Sequence, residues 1–128
     1  MNTIKPYLIF SVDRDDRTDD ENRTAQKLIE QVLKMSSTPY KTVRGVYRGG
    51  SEQAYMVAWT PQTELEIVQH ACQINNQECY LGCDTNRRGS FYDRNGQYVG
   101  TVGTQRVTDT QPAGDHTDLM NGEYVYFD

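Results

Sequence analysis

The chain has 128 residues, 36% of them hydrophobic, and its 18 acidic against 13 basic residues give a formal net charge of −5. That length fits one domain spanning residues 1–128 whose core needs no disulfide or metal staple, and the acidic balance excludes non-specific nucleic-acid binding, which requires a basic face. No apolar run approaches the length that spans a bilayer, and the opening stretch MNTIKPYLIFSV holds too short an apolar run for a secretory signal. No membrane association and a cytoplasmic setting are therefore expected. The mean hydropathy of −0.79 points to a small core, which packing between subunits would complete.

In chain order, residues 7–12 (YLIFSV) form an apolar run that reads as a buried strand. Residues 13–20 are a mixed-charge stretch that reads as a solvated connection. Thr18 and Glu21 have capping-box spacing, and Ala25, Leu28, Ile29, Val32 and Leu33 recur as one buried helix face. Residues 36–39 (SSTP) stop that helix. Residues 40–59 hold two strands around a turn at Gly49-Gly50-Ser51, the first carrying Val43, Val46 and Tyr47. Thr60-Pro61 opens a second helix with Leu65, Val68, Ala71 and Cys72 on its buried face, ending at Asn75-Asn76. Residues 78–83 are the next strand. Asn95-Gly96 marks a hairpin between residues 90–93 and 98–100, and residues 101–107 extend its second arm. Residues 109–117 read as a loop, and residues 123–127 as an edge strand or a subunit contact.

This order, β-α-β-β-α-β followed by a C-terminal hairpin, predicts an α+β fold of the ferredoxin-like class: an antiparallel sheet with both helices on one face. The other face then needs a cover, which dimeric or trimeric packing would supply.

Few residues offer chemistry. The three cysteines, Cys72, Cys79 and Cys83, suit a reducing compartment. Cys79 and Cys83 on an extended strand lie about 13 Å apart, too far for a disulfide. His70, Cys72 and Cys79 match no common ligand spacing, so no metal is expected and buried reduced thiols are. His70 reads as a structural histidine and His116 as a loop residue. No nucleophile elbow, Walker loop or dinucleotide fingerprint is present, and no cofactor is implied. What remains is the hinge Tyr47, Arg48, Gly49, Gly50, Ser51 and Glu52. Composition alone favours an ordinary hairpin with solvated charges. The other reading is a ligand site, in which glycines let a ligand approach backbone, tyrosine stacks on it and Glu52 binds a cation.

Three stretches carry a family resemblance. Phe10-Ser-Val-Asp-Arg14, with Asp20-Glu21-Asn22 ahead of a helix ending Val32-Leu33, is one. Gly45-Val-Tyr-Arg48 with Glu52 soon after is the second, similar to a G-x-Y-R segment and its following glutamate. Ala71-Cys-Gln-Ile-Asn-Asn-Gln-Glu-Cys79 is the third and most specific, similar to an A-C-N-x-x-x-Q-[DE]-C motif at a helix-to-strand junction. Together they resemble the phage S-adenosylmethionine-degrading enzymes, the SAM hydrolase or SAM lyase family that counters host restriction. The resemblance covers about residues 8–100, and the chain between Tyr47 and Glu52 is shorter than the family's.

The resemblance implies a PII-like homotrimer with ligand sites at subunit interfaces, SAM as substrate, and methylthioadenosine with homoserine lactone or homoserine as products. Residue by residue it carries over only Tyr47 and Glu52. Glu52 is then the expected catalytic residue. Tyr47 and the hinge residues Arg48, Gly49, Gly50 and Ser51 are the expected substrate-binding set, with Arg48 facing a neighbouring subunit. Two other functions fit the composition. One is a PII-like module that sequesters SAM or a nucleotide without turnover. The other is an acidic DNA mimic, for which −5 is a weak charge and whose densest acidic run contains Arg14 and Arg17.

Overall fold

The computed structural model describes residues 6–128; residues 1–5 of the opening stretch lie outside the described residues. The elements are β1 (Tyr7–Phe10), α1 (Asp19–Met35), β2 (Tyr40–Tyr47), β3 (Gly50–Ala58), a second helix over residues 61–74, β4 (Cys79–Cys83), β5 (Arg88–Asp93), β6 (Tyr98–Thr108), β7 (His116–Asp118) and β8 (Tyr124–Phe127). The strands pair antiparallel and close into an eight-stranded barrel in the order β1-β3-β2-β7-β8-β6-β5-β4.

This corrects the expected ferredoxin-like, PII-like sandwich. The predicted element order through β4 is present, but the chain after it does not hang off the sheet as an accessory hairpin. β5 pairs with β4, β6 with β5, and β8 with β6. β7, read from its sequence as the end of a loop, joins β8 to β2. β8 is therefore an interior strand with partners on both sides, not an edge. Closure removes the sheet edges altogether.

The face that was expected to need other subunits is the barrel interior. It is filled by Tyr7, Ile9, Val43, Ala54, Met56, Cys83, Leu119 and Val125. Tyr7 donates its hydroxyl to Gln105 Oε1 at 2.7 Å, satisfying a polar group inside. The chain covers its own sheet, so the case for oligomerisation from an uncovered face falls away.

Both helices lie on the outside of the barrel. Leu8, Phe10, Tyr55, Val57 and Tyr80 point outward to meet Ile29 and Leu33 of α1 and Ile67, Val68, Ala71 and Cys72 of the second helix. The capping box of α1 is present: Thr18 Oγ1 accepts from Glu21 N, and Glu21 Oε1 from Thr18 N. Its buried stripe is narrower than predicted, because a convex barrel meets a helix along fewer positions than a flat sheet would. Ile29 and Leu33 are buried, whereas Leu28 and Val32 remain 59% and 46% exposed.

The second helix starts on the Thr60 cap, runs as α-helix over Pro61–Thr63, widens to a π-helix over Glu64–Gln69 and returns to α-helix over His70–Ile74. The wider π turn changes the phase of the apolar face. Ile67 consequently packs on the barrel, and Leu65, predicted to be buried, is exposed.

The charged stretch ahead of α1 is more than a solvated connection. Arg14 Nη1 donates to Asn75 O and Asn76 O at 3.2 and 2.7 Å, and Arg17 Nη2 to Asn75 Oδ1 at 3.0 Å. Arg14 satisfies backbone carbonyls at the end of the second helix and Arg17 the Asn75 side chain and Val12 O, which fixes where the chain leaves β1.

Candidate active site

The β2–β3 hairpin turns on two residues. Tyr47 pairs with Gly50, and the intervening Arg48 and Gly49 have φ of 50° and 82°. Two successive positive φ values are the backbone of a tight hairpin turn. The predicted turn at Gly49-Gly50-Ser51 is thus displaced, and Gly50 and Ser51 belong to β3. The displacement matters because strand period two assigns each residue to a face.

The register pairs Val43 with Ala54, Gly45 with Glu52 and Tyr47 with Gly50. Val43 and Ala54 belong to the interior core, so Gly45, Glu52, Tyr47 and Gly50 continue that inner face toward the barrel end. Tyr47 and Glu52 are diagonal neighbours on it, about 7–8 Å apart. Ser51 and Gln53 face the other way. Ser51 Oγ accepts from Arg44 Nη1 at 3.3 Å on the outer side, so the structure separates it from the rest of the hinge. Arg48 stays at the rim: its guanidinium lies 5.2 Å from the Tyr47 ring centroid, and its backbone N–H donates to Asp115 Oδ1 at 2.9 Å.

Across β2, Gly45 also pairs with Thr117 of β7. The inner wall at this end therefore has a floor of Val43, Ala54 and Leu119, all buried. Above it lies a row of Thr117, Gly45 and Glu52, and above that the rim of Tyr47. Nothing in the sequence pointed to Thr117, because its strand read as a loop.

β1 supplies the next wall. Ser11 Oγ donates to Gln53 O at 2.9 Å and accepts from Asp13 N at 3.2 Å, holding the exit of β1 against β3. This sets Asp13 and Asp15 near Glu52. The Glu52 carboxyl titrates above the usual glutamate range, chiefly through desolvation by surrounding atoms and then through the negative charge of Asp13, with Asp15 adding a little; Ser11 works against the shift by hydrogen bonding. The residue is exposed by surface area. Its crowded carboxylate end is what raises the titration, so Glu52 is both reachable and short of a cation.

Two cavities flank the barrel, and Glu52 lines neither. One of about 250 Å³ lies against the outer side of β2–β3, lined by Asp13, Arg23, Gln26, Arg44 and Gln53 among others. Gln53 Nε2 donates to Tyr55 Oη there, and Tyr55 in turn to Glu30 Oε2 at 2.7 Å. The second, about 330 Å³, lies beside Trp59 and Glu64. Glu64 accepts from Trp59 Nε1 at 3.0 Å and from Tyr80 Oη at 2.6 Å, so one oxygen fastens the π turn to the residue that follows β3 and the other to β4.

The remaining candidates are structural. His70 is exposed. His116 is buried, with Nδ1 2.7 Å from Gly114 O and its ring edge-on to Tyr124. Burial pushes the Cys72 thiol up to about 12 and raises that of Cys79, so neither is a thiolate at neutral pH. Among the described residues, no group of three His, Cys, Asp or Glu side chains is placed to hold a metal.

The model of the S-adenosylmethionine lyase family matches residues 8–127, which includes every residue of the barrel end described above. No curated protein matches the chain.

Proposed function

The chain belongs to the S-adenosylmethionine lyase family, and its activity is that of a SAM lyase; on that premise we propose that the Glu52 end of the barrel is where SAM is cleaved. The observation that carries the reading is the placement of Glu52: a carboxylate on the inner face, reachable by solvent, crowded by Asp13 and Asp15, and diagonal to Tyr47. SAM carries an ammonium and a sulfonium. An anionic recess short of a cation complements that charge.

The reaction needs little from the protein, because SAM holds its own nucleophile. The substrate carboxylate attacks the γ-carbon, the carbon–sulfur bond breaks, and the electron pair leaves on sulfur. The products are neutral methylthioadenosine and homoserine lactone. Ring closure is intramolecular, so correct orientation supplies much of the rate; effective molarities of about 10⁵–10⁸ M are reached by well-placed groups. Carboxylate and sulfonium both lose charge on the way, so exclusion of water favours the step.

In this reading Glu52 pairs with the α-ammonium and fixes which way the substrate carboxylate points. Tyr47 offers a ring face to the sulfonium or the adenine, worth about 0.5–2 kcal/mol. Arg48 covers one face of that ring and holds it in place. It does not clamp the substrate carboxylate, which would quench the nucleophile. Gly49 shapes the turn, and Gly50, opposite Tyr47, leaves the ring unobstructed. The rim is open, with Tyr47 53% exposed. A neighbouring subunit closing over it, in a trimer, would supply the exclusion of water that the barrel end alone does not.

A raised carboxyl also suits a general base. That observation favours a second route, in which Glu52 activates water and homoserine forms directly. Either way SAM is consumed, and enzymes that need it for restriction and modification of DNA would lose their cofactor. Incubating the purified protein with SAM tests the reading: methylthioadenosine and homoserine lactone should accumulate with the wild type and far more slowly with E52Q.

A further inference from the structure

We propose that Gly45 is a specificity-determining residue of this site: its missing side chain is the slot that receives the aminoalkyl chain of the substrate, directly opposite Glu52. The proposal rests on the assignment of Glu52 above. Three structural reasons that place glycine in a strand can be checked at position 45.

The first is a backbone conformation closed to other residues. Gly103 has it, at φ 140°, whereas Gly45 is not among the positive-φ residues. The second is close approach of another group. Gly82 has it, since a Cβ there would meet the Trp59 ring at 2.7 Å, and so does Gly89, under the Phe127 ring. A Cβ at Gly45 would meet only Glu52 O, at 3.9 Å, an ordinary contact. The third is a bulge. The β2–β3 register runs unbroken from Tyr40↔Val57 to Tyr47↔Gly50.

Neither conformation, packing nor pairing requires glycine here, and the middle of an eight-residue strand is a poor place for one. What the glycine provides is room. That room lies between Glu52 and Thr117 along the ladder, in the row next to Val43 and Ala54. Its chemistry matches a short methylene chain that ends in an ammonium. Gly100 is equally open, but it pairs with Phe91, so no carboxylate faces it across the ladder.

The test is a size series, G45A and G45V, read beside E52Q. Thermal unfolding should show both glycine variants at least as stable as wild type. The KM for SAM should rise about tenfold or more in G45V, with a smaller rise in G45A and with kcat less affected, the pattern of lost binding. Methylthioadenosine lacks the aminoalkyl chain, so its inhibition constant should be the same in G45V and wild type.

A wild-type KM in G45V, an equal loss of SAM and methylthioadenosine binding, or a G45V that does not fold would each overturn the slot. The last would show that the space is not free. If E52Q is inactive while G45V behaves as wild type, only the slot fails. If E52Q turns over normally, the assignment of Glu52 itself fails.

Discussion

Gly45 and Glu52 face each other across the β2–β3 ladder on the inner side of the barrel, and Gly45 meets Thr117 on its other flank. The pairing sets a carboxylate beside a strand position with no side chain, next to the buried Val43 and Ala54. The functional account follows from that pairing, and the predictions below test its parts.

Replacing Glu52 with Gln removes the charge and keeps the shape. Deleting one partner of a hydrogen-bonded charge pair costs about 2–5 kcal/mol, so kcat/KM for SAM should fall by about 30- to 5,000-fold. Steady-state kinetics on methylthioadenosine release would show it, and unchanged turnover would remove Glu52 from the site.

The same substitution should stabilise the fold at neutral pH. The Glu52 carboxyl is raised in the folded protein. Between the ordinary glutamate pKa and the raised one, the folded state holds a proton that the unfolded chain has lost, so stability falls as pH rises through that window and the cost is complete above it. E52Q should therefore melt higher than wild type at pH 7, and the difference should vanish below about pH 4. Melting curves at the two pH values decide; an E52Q that melts lower at pH 7 contradicts the electrostatic description.

For the same reason kcat/KM should lose activity on the acid side at a pH above the usual glutamate range, because a protonated Glu52 no longer attracts the ammonium. Asp13 contributes to the shift after desolvation. D13N should move the acid limb of the pH profile to lower pH. A limb that stays in place would show that Asp13 does not act on Glu52.

Tyr47 acts through its ring rather than its hydroxyl. Y47F should keep the KM of wild type, and Y47A should raise it by a factor of about 2–30, from a cation–π contribution of about 0.5–2 kcal/mol. Loss of activity in Y47F equal to that in Y47A would assign the role to the hydroxyl instead.

Barrel closure has its own test. The Phe127 ring of β8 lies on Gly89 of β5. G89A should overpack that contact and cost about 1–3 kcal/mol in a denaturant titration. In an open sandwich, with residues 123–127 at an edge, the same change would be close to neutral.

Local signals were legible in the sequence and long-range pairing was not. Thr18 and Glu21 announce the start of α1 because a capping box is complete within four residues. Asn95-Gly96 does the same for the β5–β6 hairpin. β7 has only three residues, too few to show alternation, and its pairing with β2 and β8 depends on chain far away in sequence. Without it the sheet reads as open, and the ferredoxin-like expectation follows. The site divides in the same way. Tyr47 and Glu52 are candidates on the strength of the motifs around them. Their shared face required knowing that Arg48 takes positive φ, which puts Gly50 and Ser51 in β3 and turns Ser51 outward. Thr117 carried no signal at all.

If SAM reacts with itself at the Glu52 end of the barrel, solvent oxygen enters the product only after the carbon–sulfur bond has broken. The protein is incubated with SAM in H₂¹⁸O, and the homoserine released is fragmented in a mass spectrometer. Unlabelled homoserine lactone should appear first, and then homoserine with ¹⁸O in its carboxyl group, where water opens the lactone. Homoserine labelled in its hydroxyl group from the earliest time points, with no lactone ahead of it, would mean that water attacks the γ-carbon and would contradict the account.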